Sequence, residues 1–149
     1  MIVIRRAVTK DLDALIGFQQ KLAEETEAVT LDPETLSLGL TTLLKDESKG
    51  MYFVVEDGQQ PVGCCMITYE WSEWRNGTVW WLQSVYIVPS HRRRGIFRQL
   101  FDNVMAQVNS DPGLAGLRLY VDKRNTRAQT VYARLGMNGE HYQVFEWMK

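Results

Sequence analysis

Residues 82–98 read Leu82-Gln83-Ser84-Val85-Tyr86-Ile87-Val88-Pro89-Ser90-His91-Arg92-Arg93-Arg94-Gly95-Ile96-Phe97-Arg98. The first part is rich in β-branched and aromatic residues, Pro89 and Ser90 end it, and Ile96, Leu100, Val104 and Val108 then follow helical spacing. A strand therefore delivers the chain to a tight turn that opens directly into a helix. The first N–H groups of a helix have no partner within it and lie at the positive end of its dipole, while Gly95 lets the backbone come close to a ligand. Such a turn suits an anion, and phosphate is the obvious guest. Arg92, Arg93, Arg94 and Arg98 can add charge-assisted contacts to terminal phosphates. Gly95 is the turn's only glycine, so the Walker A and three-glycine dinucleotide patterns are absent. A nucleic-acid patch is the rival reading of the arginines. An isoelectric point near 6.1 and the lack of a second basic stripe argue against it.

On the N-terminal side, residues 2–6 read as a strand. A helix follows, with Thr9 as N-cap, Asp11 in its first turn and an end near Glu25. Asp32-Pro33 starts a second helix over residues 34–45, since proline suits the first helical position. Strands are expected at 51–56, 61–69 and 78–88, separated by Asp57-Gly58 and by Arg75-Asn76-Gly77, which makes an antiparallel meander. After the 95–109 helix come a strand at 117–121, a helix capped by Asn125 and ending at Leu135, and a last strand at 143–148. The order β-α-α-β-β-β-α-β-α-β implies a mixed α/β (α+β) sheet, mostly antiparallel, with a parallel crossover around the 95–109 helix.

A chain of 149 residues is one domain, and 45% hydrophobic residues with five Trp exclude a disordered or low-complexity chain. No apolar run reaches the roughly 18 residues of a membrane helix, and residues 1–10 hold no secretory apolar stretch. A cytoplasmic protein is expected, with neither membrane nor nucleic acid as partner. Cys64 and Cys65 are strand neighbours that point to opposite faces, which suits structural thiols and neither a disulfide nor a metal site. The net charge of −1 hides unlike halves: residues 1–90 carry 7 Lys+Arg against 13 Asp+Glu, and residues 91–149 carry 10 against 5. This split is either chance among solvated faces or a division between a cation-handling and an anion-handling end.

The run from Leu82 to Phe97 resembles the acetyl-CoA motif of the GNAT superfamily of N-acetyltransferases, with Arg92 and Gly95 matching its Arg/Gln-x-x-Gly-x-Gly/Ala pattern. Phe97 departs from the final small residue. A second block resembling the family lies downstream in Leu119-Tyr120-Val121, Asn125, Ala128, Tyr132 and Leu135-Gly136-Met137. Within the superfamily, residues 69–88 and 21–31 look most like the diamine and thialysine acetyltransferase branch.

The resemblance implies a fold whose sheet splays at the central parallel pair. It also implies a bulged strand whose backbone around Val85, Tyr86 and Ile87 pairs with the pantetheine arm of acetyl-CoA. The N–H groups of Arg93, Arg94, Gly95, Ile96, Phe97 and Arg98 would hold the pyrophosphate, with Arg92 beside them and Asn125 and Ala128 at a second contact. Tyr132 would protonate the departing thiolate, since a phenol with pKa near 10 can donate to it, and the Val85 N–H would stabilise the oxyanion. Core packing is the other reading of Tyr132.

The implied acceptor is a small primary amine, with Glu24, Glu25, Glu70, Trp74 and Gln83 as candidate contacts. Gln83 stands where diamine-type enzymes carry an acidic residue, and it cannot accept a proton. Glu70 or Glu73 through water, Tyr132 alone, or an amine of low pKa are the alternatives. For the glutamates at 24, 25 and 27 a solvated helix face is the more common meaning of such a cluster. Trp71, Trp80 and Trp81 suit the core or a homodimer interface. No metal is implied. A CoA-binding module without catalysis, and acetylation of protein N-termini or lysines, are the alternative functions.

Overall fold

Five strands form one sheet in the computed structural model, which describes residues 1–149. The chain falls into two compact units, Met1–Arg118 and Leu119–Lys149. In the first, β1 (Ile2–Arg6), α1 (Leu12–Glu27), α2 (Pro33–Lys45), β2 (Met51–Asp57), β3 (Gln60–Ser72), β4 (Gly77–Ile87), α3 (Ile96–Ser110) and β5 (Leu114–Arg118) follow in order. The second holds α4 (Thr126–Arg134). Spatial order in the sheet follows chain order, and every pairing is antiparallel except β4 with β5, across the α3 crossover. This is the expected mixed α/β arrangement.

Alternation along β2 sends Tyr52 and Val54 to one face with Cys64, where Leu15 and Phe18 of α1 and Leu40 of α2 complete a buried cluster with Tyr86. By the same alternation Cys65 lies on the opposite face, and both thiols are free and fully buried. Leu100, Phe101, Val104 and Val108 bury the inner stripe of α3, which touches β1, β4 and β5. At the start of α2 the expected cap is present. Pro33 opens the helix and an Asp32 carboxylate oxygen accepts from the Thr35 N–H at 2.9 Å.

Among the differences from the sequence reading, three have a physical reason. Thr9 does not cap α1. Thr9–Asp11 forms a 3-10 turn, and Asp11, only 4% exposed, accepts from the Val8 N–H and from two Arg5 nitrogens at 2.8 and 2.9 Å. An acidic side chain with an arginine in reach folds back onto that partner rather than facing the helix. The fifth strand starts three residues earlier than expected, because the Asp111 carbonyl accepts from the Leu114 N–H and its side chain from the Gly113 N–H. This turn feeds the chain into the sheet at once. Residues 143–148 form no strand, with Val144, Phe145 and Trp147 exposed. Strand propensity depends on its context and does not make a strand by itself.

Candidate active site

The middle of β4 is bulged. Tyr86 faces Cys64 and Gln83 faces Met66, so Ser84 and Val85 together oppose Cys65 alone. Ser84 takes up the extra residue at φ 53°, a left-handed conformation uncommon for a residue with a side chain. A buried group meets it there: the Cys64 Sγ lies 3.6 Å from the Ser84 carbonyl oxygen. Just beyond, Gly63 faces Ile87. A Cβ at residue 63 would stand 2.7 Å from the Tyr86 carbonyl oxygen, so glycine is what permits this close strand approach.

The parallel ladder is short. β5 pairs with Thr78–Trp81 only, the last facing pair being Trp81 and Arg118, while β4 continues to Ile87. Beyond this fork the β4 backbone runs on without β5 alongside, which is the geometry an extended, amide-containing ligand needs to add as a strand. Glu70 of β3 braces the fork by accepting from Trp81 Nε1 at 2.9 Å and from Arg118 Nη1 at 2.5 Å. The Trp81 hydrogen bond, with the Arg118 guanidinium, holds the Glu70 carboxyl below its usual range against partial burial.

Past β4, a 3-10 turn at Pro89–His91 leads into the arginine turn, where Arg93 (φ 62°) and Gly95 (φ 74°) are both left-handed and α3 starts at Ile96. The space where a Gly95 Cβ would stand is open to 4 Å, leaving room at the helix start for a ligand. The arginines are engaged unequally. Arg92 donates from Nε to the Ile87 carbonyl at 2.8 Å and from Nη2 to Glu25 at 2.7 Å. Arg94 stands 3.8 Å from Asp57, which also meets His91 Nε2 at 3.1 Å, and Arg98 pairs with Asp102 one helical turn on. Arg93 is exposed. The Phe97 ring packs on Phe101, centroids 6.2 Å apart. The oversized residue of the turn therefore rests on its own helix.

Gln83 donates from Nε2 to Thr68 Oγ1 at 2.7 Å, which commits its amide nitrogen and leaves its carbonyl oxygen as an acceptor. Glu24, Glu25 and Glu27 are exposed at the end of α1. Trp74 is 87% exposed at the tip of the β3–β4 hairpin and Trp71 is 61% exposed, whereas Trp80 is core. In the second unit Asn125 caps α4, its Oδ1 accepting from the Ala128 N–H at 3.0 Å. Tyr132, half-buried on the same helix, has its phenol pKa raised by that burial. Glu25 with Arg92, the Glu70 brace and the left-handed Ser84 escape a reading of the sequence. The bulge is implied by the family resemblance, whereas among the residues themselves only a glycine at 84 would have marked it.

A family model described as Acetyltransferase (GNAT) family matches residues 16–137. The chain belongs to the GNAT acetyltransferase family. Among solved structures, a possible acetyltransferase from Clostridium difficile 630 is 42% identical at TM-score 0.94, covering 100% of this chain and 98% of that one. Two more distant structures share the fold. A predicted acetyltransferase with acetyl-CoA from Clostridium acetobutylicum is 16% identical (TM-score 0.77, 98% of this chain and 96% of that one). AAC(6')-Iy in complex with the bisubstrate analog CoA-S-monomethyl-acetylneamine is 17% identical (TM-score 0.79, 100% and 99%). The GNAT chain described here is thus an acetyltransferase. No helix in it is long and apolar enough to cross a membrane.

Proposed function

We propose that this chain transfers the acetyl group of acetyl-CoA to a primary amine of a small molecule, of the polyamine, diamine or amino-acid-like class, by direct attack in a ternary complex. The observation that carries the reading is the fork: β4 leaves β5 after Trp81, bulges at Ser84 and Val85, and runs into an open, left-handed turn at the start of α3. In this proposal the backbone of Val85, Tyr86 and Ile87 takes the pantetheine arm. The N–H groups from Arg93 to Arg98 take the pyrophosphate at the positive end of α3, and the arginine side chains exchange their carboxylate partners for phosphate oxygens. Asn125 and Ala128 supply the second contact.

Chemistry needs a neutral amine, a stabilised oxyanion and a proton for the thiolate. The Val85 N–H is assigned to the oxyanion and Tyr132 to the proton. Glu70 is a poor base, because its two donors favour its ionised form. Freeing a lysine-like amine of its proton at pH 7 costs about 4–5 kcal/mol. The acceptor we propose therefore arrives as the free base, which favours amines less basic than lysine, with the Gln83 carbonyl orienting the nitrogen or a water. The exposed acidic end of α1 and Trp74 supply the acceptor side, in a single cytoplasmic catalytic domain that works as a homodimer. Calorimetric titration of acetyl-CoA, desulfo-CoA and dephospho-CoA tests the reading. Binding that weakens on loss of the phosphate is expected, and no binding of any of the three would overturn it. Thiol release across an amine panel then separates an enzyme from a module that only binds CoA.

A further inference from the structure

Glu25 and Arg92 belong to the opposite charge halves of the sequence, one on the proposed acceptor segment and the other at the proposed phosphate turn, yet they form a 2.7 Å ion pair. The pair is built in. Arg92 lies over the Tyr86 ring, 5.4 Å from its centroid, and its Nε holds the Ile87 carbonyl, while the Tyr86 hydroxyl donates to the other Glu25 oxygen at 3.5 Å. Tyr86 is fixed in turn by the Phe18 ring of α1, 5.5 Å away. Glu25 sits in the last turn of α1, two residues before Glu27 ends the helix and Ala28 turns left-handed at φ 53°. One side chain on the phosphate turn thus ties down the end of α1 and the link to α2.

The tie is exchangeable. Both side chains are about two-fifths exposed, 42% for Arg92 and 40% for Glu25, and pairs so placed are weak. A pyrophosphate seated at Arg93–Gly95, one residue along, offers the same planar guanidinium a doubly charged competitor with several acceptor oxygens.

We infer that Glu25 and Arg92 form a latch that acetyl-CoA opens: Arg92 leaves the carboxylate for the phosphates, and the freed Glu25 becomes a positioning residue for the second, protonated amine of a diamine or polyamine whose attacking amine is neutral. The inference rests on the proposed cosubstrate. Closed, the latch competes with acetyl-CoA. Open, it presents a negative charge to the second substrate, so the two sites are coupled and acetyl-CoA prepares the acceptor side.

The test compares the full chain with its Glu25→Gln and Glu25→Ala variants, using acetyl-CoA as the probe. Calorimetry gives Kd, and hydrogen–deuterium exchange follows residues 22–30. Removing the competing carboxylate is expected to tighten acetyl-CoA binding about two- to fivefold in both variants, the span of an exposed ion pair. In the parent chain acetyl-CoA is expected to raise exchange over residues 22–30. In the variants that exchange is already raised and acetyl-CoA leaves it unchanged. Equal affinity in parent and variants, or exchange at 22–30 that acetyl-CoA does not alter in the parent, would overturn the latch alone. If the parent fails to bind acetyl-CoA, the proposed function falls and the latch with it.

Discussion

Trp81 and Arg118 are the last residues to face each other across the parallel β4–β5 ladder, and a single carboxylate, Glu70, holds both side chains. The brace stands where the strands part. Glu70→Gln keeps the shape and removes the charge, so it is expected to lower stability by about 1 kcal/mol in urea unfolding and to weaken acetyl-CoA binding by loosening the fork. Because Glu70 titrates below its usual range, its contribution is full above about pH 4.3 and is lost as pH falls through the lowered value. The stability difference between parent and variant should therefore shrink on acidification.

Gly63 is expected to be intolerant of any side chain. An alanine Cβ would meet the Ile87 side chain at 2.6 Å and the Tyr86 carbonyl oxygen at 2.7 Å, and the second of these is backbone that moves only if β4 moves. Gly63→Ala should cost about 1–3 kcal/mol, the usual range for overpacking. It should also raise the Kd for acetyl-CoA, because the displaced residues are the ones proposed to pair with pantetheine. A variant destabilised as expected that nevertheless binds equally well would show that β4 does not carry the cosubstrate.

Arg5 and Asp11 make the most buried ion pair of the N-terminal half, with the Asp11 side chain 3% exposed. Removing one partner strands the other, and Arg5→Ala is expected to cost about 3 kcal/mol by thermal or denaturant unfolding. The Arg5 hydrogen bonds lower the Asp11 pKa against its burial. The stabilisation is thus complete above about pH 4, the unfolded value, and fades as pH drops through the lower folded one. Acid titration of parent and Asp11→Asn proteins should converge at low pH.

Tyr132→Phe separates acid from core. Loss of a positioned general acid lowers turnover by about a hundredfold or more with acetyl-CoA saturating, whereas loss of a packing hydroxyl leaves kcat near that of the parent. Burial raises the phenol above 10, so the proton-donating form persists through neutral and mildly alkaline pH. No decline in kcat between pH 7 and about 9 should trace to this group.

What the sequence discloses and what it hides divide along physical lines. The arginine turn is legible because proline, glycine and helical spacing act locally, and the Asp32-Pro33 start of α2 is readable for the same reason. The bulge is implied by the family resemblance and not by the residues themselves, because the left-handed backbone of Ser84 is met from outside, where Cys64 of β3 reaches its carbonyl. Glu70 and Glu25 read as members of an acidic surface, since their partners Arg118 and Arg92 are 48 and 67 residues away. Residues 143–148 show the reverse error, a run rich in strand-forming residues that is read as a strand and forms none. Long-range pairing is what a single sequence conceals.

The two thiols offer a practical return. Cys64 and Cys65 are the only cysteines, both are free and 0% exposed, and burial pushes the Cys64 thiol up to about 12 and the Cys65 thiol higher still. Reagents that need a thiolate find almost none on the native chain. A chromogenic disulfide should register close to zero sulfhydryls before denaturation and two after it. Colorimetric detection of the CoA leaving group can therefore be run on the unmodified protein with no background to subtract.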